Sequence, residues 1–251
     1  MYSDVSPYCV LAIRMHVPSS LPDAEKLSNG QYKVDHFTGK AKIEERIREL
    51  RRQGRFESAV FVRPGFYWQN IAGGYFKPIK QDDGSYAYLY PVDPARTHVA
   101  GLDITDFGPI VAKILLDPKQ YDGRNINIAS ETLTFAQMAE IMAEGATGQA
   151  MQACGLVGID HSSYVHTRTL IHARACVHAV SGKRVIAKEI SEDAARRAGV
   201  SQELIDMYKW FRDYGLYNGE PIDPLCKQLY PGMKDFRTFL DSNDDWRQLF
   251  A

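Results

Sequence analysis

Residues 58–63 read SAVFVR, a short run that is apolar except for its serine and arginine, and Pro64-Gly65 stops it. A strand this apolar suits a sheet covered on both faces, and such sheets are parallel, with helical crossovers. The sequence on its amino-terminal side supplies the crossover. Over 38–53, Ile43, Ile47 and Leu50 recur at i, i+4 and i+7, which predicts one apolar helical stripe, and Gly54 follows as a stop. Glu44 and Arg48 add a favourable i,i+4 pair. Before that helix, residues 9–17 (CVLAIRMHV) read as another strand, closed by Pro18 and Pro22. Strand, helix, strand is the unit from which open α/β sheets are built.

The remainder continues the alternation. A hairpin is expected around Asp82-Asp83-Gly84, and a helix over 106–116 with Phe107, Ile110, Val111, Ile114 and Leu115 on one side. Residues 125–129 (NINIA) form a third strand, and Thr134-x-x-Gln137 is a capping box opening a helix to Glu144. Residues 184–190 suit a strand. Ser191 and Ser201 suit the N-caps of two further helices, the second carrying Leu204, Ile205, Tyr208 and Phe211 and ending at Gly215. There is no internal repeat.

Residues 149–182 do not match this pattern. They hold four of the seven histidines and two of the four cysteines, and they lack both the 3.6 and the 2.0 period. We read the segment as an insertion, expected to be disordered. Cys154, His161, His166, His172, Cys176 and His178 are ligand types for zinc, but their spacing fits no zinc motif, and no metal site is expected. Gly145-Ala146-Thr147-Gly148 resembles half of a dinucleotide glycine loop. It follows a helix rather than a strand, and Met151 stands where a third glycine belongs, so it reads as a helix cap.

Composition bounds the function. Thirty basic against 31 acidic residues give a formal net charge of −1. That excludes a broad basic footprint for direct nucleic-acid binding. No stretch approaches the roughly 20 apolar residues of a membrane span. Four scattered cysteines are too few for a disulfide scaffold. A soluble, reduced, cytoplasmic or nuclear protein is expected.

Two constellations carry chemistry. In His36-Phe37-Thr38-Gly39-Lys40 the histidine and lysine are one helical turn apart, so both can face one side. Such a lysine can hold a ribose hydroxyl or a nicotinamide, or lower a neighbour's pKa; a solvated first turn is the other reading. In Arg63-Pro64-Gly65-Phe66-Tyr67-Trp68-Gln69-Asn70, a buried strand ends at the carboxyl edge of a parallel sheet, where open α/β sheets bind ligands. Phe66, Tyr67 and Trp68 either wall a pocket or belong to the core.

These segments, with Gly101-Leu102-Asp103-Ile104-Thr105-Asp106-Phe107-Gly108 and Ser19-Ser20-Leu21-Pro22-Asp23, fall in the order found in the NmrA-like family. That family comprises the atypical short-chain dehydrogenase/reductases that include fungal nitrogen-metabolite repression regulators, and the chain resembles it over about 19–148 and 183–251. The resemblance implies the carboxyl half of a Rossmann-like NAD(P)-binding sheet over 9–148, with 66–101 contributing to a smaller, mainly helical carboxyl-terminal subdomain completed by 183–251. It places Lys40 near the nicotinamide and Pro64, Gly65, Phe66 and Asn70 against the cofactor, NADP or NAD. His36 stands where short-chain dehydrogenases keep their catalytic tyrosine, and His36 and Lys40 are the candidate catalytic pair.

The family's amino-terminal strand, glycine-rich loop and helix have no counterpart before Val10, and 149–182 is extra. One cause for both is expected, a gene model that lost a 5′ exon and kept an intron; a real, degenerate paralogue is the alternative. Three functions follow. The first is an NAD(P)-sensing regulator acting through a protein partner, by resemblance a GATA-type transcription factor. The second is an NAD(P)H-dependent oxidoreductase of the isoflavone-reductase type. The third is a non-binding fragment that lacks the phosphate cradle.

Overall fold

The structure is a computed structural model. It describes residues 15–55, 57–73, 77–144 and 184–243, together with Trp246 and Leu249. The expected insertion 149–182, the candidate zinc ligands within it, the glycine pair at 145–148 and most of the strand expected at 9–17 lie outside the described residues.

The central layer is parallel. Strand β1 (Met15–His16) pairs with β2 (Ser58–Ala59). The ladder goes on through a bridge from Ser19 to Val62. Strand β3 (Phe61–Pro64) pairs in parallel with β8 (Asn125–Ile128), with Arg63 opposite Asn127. The helix expected between the first two strands is α2 (Asp35–Arg52), preceded by the short α1 (Ala24–Leu27). It packs Ile47 on Ala59 and Phe61. On the opposite face lies α3 (Ile104–Leu116), whose Ile110 and Ile114 meet Val60, Val62, Ile126 and Ile128. Each face of the sheet is therefore covered by a helix, as the apolar run at 58–63 requires.

The stripe expected on α2 is corrected. Ile43 is 55% exposed, and the buried side carries Phe37, Thr38, Glu44 and Ile47. A buried glutamate displaces the isoleucine because Glu44 has partners across the sheet.

Strand β3 does not simply end at Pro64-Gly65. The chain continues into β4 (Phe66–Tyr67), which pairs with β7 (His98–Leu102), itself antiparallel to β9 (Glu131–Thr134). The expected hairpin exists between β5 (Ile79–Lys80) and β6 (Tyr86–Tyr90), with Gly84 at φ +79°. Strand β10 (Val185–Glu189) adds to β6 in parallel. Helix α4 (Phe135–Glu144) starts with both bonds of the capping box: Gln137 N–H donates to Thr134 Oγ1 (3.0 Å) and Thr134 N–H to Gln137 Oε1 (2.8 Å). Ser191 caps α5 (Glu192–Arg197) and Ser201 caps α6 (Gln202–Tyr214), which stops at Gly215 with φ +69°. Two short helices follow, α7 (Leu225–Leu229) and α8 (Phe236–Ser242).

The largest core joins α6 and α8 to β4, β6, β7 and α4, while α7 packs through Cys226 against the core beneath α3. Tyr90 and Phe135 stack at 4.2 Å, and Tyr208 of α6 meets both edge-on at 5.6 Å. Such aromatic pairs add about 0.5–1.5 kcal/mol each beyond their buried area.

Candidate functional site

Helix α2 runs antiparallel to β1 and β3, so its first turns lie at the carboxyl edge of the sheet. His36, Lys40 and Glu44 stand one turn apart on it and thus share a face. Their environments differ.

Glu44 is the buried member. It accepts a bond from the Ser20 hydroxyl, just beyond the carboxyl end of β1, and two from Arg48 (2.8 and 2.9 Å). Arg63 Nη2 of β3 stands 3.7 Å from the same carboxylate. Burial alone would raise this carboxyl; the Ser20 hydroxyl, Arg48 and Arg63 outweigh it and hold the pKa below its usual value. Arg48 also donates to Gly123 O and Asn125 Oδ1, and its guanidinium lies 4.0 Å from the centre of the Phe61 ring. The i,i+4 pair read from sequence is thus the middle of a network joining helix, strand ends and sheet.

Lys40, one turn closer to the start of α2, is half-buried and makes no hydrogen bond or ion pair among the described residues. Partial burial lowers its ammonium pKa, because the charged form loses water. It is a half-buried cation, on the turn of α2 before Glu44, that leaves room for acceptors from a ligand.

His36 is committed elsewhere. Its Nδ1 lies 2.6 Å from Glu203 Oε1 of α6, and its backbone N–H donates to the same oxygen at 3.1 Å. Those bonds from His36 hold the Glu203 carboxyl below its usual pKa. Nearby, Lys33 N–H donates to Asp206 Oδ2 (3.2 Å), and the Tyr32 hydroxyl bonds Asp213. The pair ties α6 to the Lys40 helix. Because the imidazole side chain is 44% exposed, His36→Ala should cost less than about 1 kcal/mol in a denaturant titration.

The strand-end residues sit close by. Pro64 and Gly65 are buried, and Gly65 N–H donates to Ile128 O at 2.8 Å. A Cβ on Gly65 would stand 2.7 Å from Ala100 O, so only glycine fits there. Phe66 and Tyr67 are half-buried, as is Asn70 in the 3₁₀ turn Trp68–Ala72. The possibility that Trp68 walls a pocket is removed: it is fully buried, 4.9 Å from Phe236 between ring centres and packed against Gly101. Gln69, which the sequence reading passed over, fixes this turn. Its Nε2 donates to Asp103 Oδ1 (2.7 Å) and its Oε1 accepts from Ile104 N–H (3.1 Å), while Lys234 Nζ holds the other Asp103 oxygen at 2.7 Å.

Ser20, Glu44 and Arg63 were also missed as a unit. The only sequence signal was the repetition of polar residues at 36, 40 and 44. Among the described residues no group of three or more His, Cys, Asp or Glu side chains is placed to hold a metal ion. No helix among them is long and apolar enough to cross a membrane.

The model of the NmrA-like family matches residues 11–154. The chain is similar to an NmrA-like family domain-containing protein of Dictyostelium discoideum, 31% identical over 144 residues, which are 57% of this chain and 46% of that protein. An NmrA-like family domain-containing oxidoreductase of Aspergillus flavus is 30% identical over 128 residues, 48% of this chain and 37% of that one. The chain therefore spans less than half the length of these curated relatives. Among solved structures, NmrA, a negative transcriptional regulator in complex with NAD, superposes with a TM-score of 0.59 at 17% identity, over 94% of this chain and 64% of that one. A Citrobacter triphenylmethane reductase complexed with NADP(H) gives 0.57 at 13% identity, over 92% and 65%. At these identities the structures speak for the fold: a Rossmann-like α/β sheet.

Proposed function

The chain belongs to the NmrA-like family, and from that premise we propose that it holds the nicotinamide half of NAD or NADP at the carboxyl edge of its parallel sheet and signals occupancy to a protein partner. Lys40 carries the reading. It is a half-buried cation with no partner among the described residues. The hydroxyls of a nicotinamide ribose are acceptors of the kind such a cation needs. Pro64, Gly65 and Phe66 would form the wall beside the ring, and Asn70 a polar contact in the following turn. Bound nicotinamide supplies a hydride donor or acceptor.

The remaining residues position and transmit. Glu44, pinned by Ser20 and Arg63, fixes the turn of α2 that follows Lys40. His36, on the turn before, links that helix to α6 through Glu203. A change at Lys40 thus has a direct route to the carboxyl-terminal helices, where a partner would dock; by family resemblance that partner is a GATA-type transcription factor, met in the cytoplasm or nucleus. No direct contact with nucleic acid is proposed.

Titration of the full chain with NADPH, followed by nicotinamide fluorescence, tests this. Saturable binding is expected, and Lys40→Ala should weaken it about tenfold, the worth of one charge-assisted hydrogen bond. Absence of binding by folded protein would sink the proposal in favour of the fragment reading. The second reading, an NAD(P)H-dependent oxidoreductase, is favoured by the names of Aspergillus relatives. NADPH oxidation by a quinone that disappears in Lys40→Ala would establish it instead.

A further inference from the structure

We infer that Arg63 and Asn127 form a receiving site for a small carboxylate, which the side chain of Glu220 occupies as a built-in stand-in. The inference goes beyond dinucleotide binding and does not depend on it.

Arg63 and Asn127 are register partners on β3 and β8, near the carboxyl ends of both strands. Both are nine-tenths or more buried, at 8% and 5% exposure. Arg63 Nη1 and Asn127 Nδ2 converge on one oxygen, Glu220 Oε2, each at 3.2 Å. Asn127 Nδ2 also donates to Pro221 O at 3.0 Å. Even so, Arg63 Nε and Asn127 Oδ1 are buried without a hydrogen-bond partner among the described residues. Buried polar atoms left unmatched are uncommon in folded proteins, and each of these residues carries one; of the two, the Arg63 Nε–H is the donor that an incoming carboxylate would meet.

The three members are not equally fixed. The Arg63 side chain is 10% exposed and cannot leave; that of Glu220 is 53% exposed. The loop bearing Glu220 is anchored on both sides of it, by Tyr217 Oη donating to Ile128 O (3.1 Å) and by Asp223 N–H donating to Asn127 O (3.0 Å). A rotation of the Glu220 side chain into water therefore uncovers the two donors without moving the loop. Among the described residues, the other carboxylate paired with Arg63 is Glu44, which it shares with Arg48. With Glu220 away, two arginines face one glutamate, and the deficit is a single negative charge. A monoanionic carboxylate restores both the charge and the two bonds. A dianion such as phosphate would also meet Glu44.

Calorimetric titration of the full chain with sodium acetate, against sodium chloride at equal ionic strength, is the test. Wild-type protein binds acetate weakly, because Glu220 competes. Glu220→Ala should bind it at least about tenfold more tightly, the scale of one charge-assisted contact. In that variant, acetate should shift the NMR signals of the Arg63 Nε–H and the Asn127 side-chain amide, a readout that needs no further substitution in the buried network. An affinity no higher than wild type overturns the proposal, and so does a gain that leaves those two signals unmoved.

Discussion

Glu44→Ala should lower the unfolding free energy by about 3 kcal/mol at neutral pH, the lower part of the range for breaking a buried ion pair, because Arg63 keeps only the half-exposed Glu220 as a counter-charge. Glu44 and Arg63 side chains are each 10% exposed, so solvent cannot repair the loss. Ser20, fully buried, loses its acceptor as well, and Arg48 loses two bonds. A guanidinium titration reads this directly. A cost under about 1 kcal/mol, typical of exposed pairs, would show that the network is no more than a surface contact.

The same residue sets a pH dependence. Its folded-state pKa lies below its usual 4.5. The stabilising contribution is therefore fully present above about pH 4.5 and is lost as pH falls through the lower folded-state value. Glu44→Gln resembles the protonated carboxyl. Its deficit relative to wild type should be largest near neutrality and shrink below about pH 4.5. A deficit independent of pH would mean that charge is not what Glu44 contributes.

Gly101→Ala should cost about 3 kcal/mol, the upper part of the usual range for overpacking. A Cβ at 101 would stand 2.0–2.6 Å from three atoms of the Trp68 six-membered ring. That ring cannot slide away. It is fully buried, with Phe236 at 4.9 Å and Phe66 at 6.5 Å between ring centres. The backbone cannot yield cheaply either, since β7 is hydrogen-bonded to β4 on one side and β9 on the other. Trimming the ring tests the cause. In a Trp68→Leu background the alanine should cost almost nothing further, a coupling that a double-mutant cycle measures. Full additivity would place the strain elsewhere. The position matters for the candidate site because Trp68 begins the turn that carries Gln69 and Asn70.

The sequence by itself determined the elements whose causes are local. The capping box at Thr134 and Gln137, the serine caps at 191 and 201 and the glycine stop at 215 each act within a few residues, and the structure has helices at all of them. The apolar strand at 58–63 announced a sheet covered on both faces, and the ordered motifs from 19 to 148 pointed to the family. What only the tertiary structure decided involves partners far apart along the chain. Ser20 and Glu44 are 24 positions apart, and Arg63 and Glu220 are 157 apart. No local pattern distinguishes such a glutamate from one on a solvated helix face, so Glu44 reads only as half of an i,i+4 pair with Arg48, and Ile43 as part of the apolar stripe. The same holds for Trp68, which is equally plausible as pocket wall or core until Gly101 and Phe236 close on it. Periodicity and capping are properties of the chain's own turn. Burial of a charge depends on which distant groups arrive to compensate it, and only the folded packing brings those groups together.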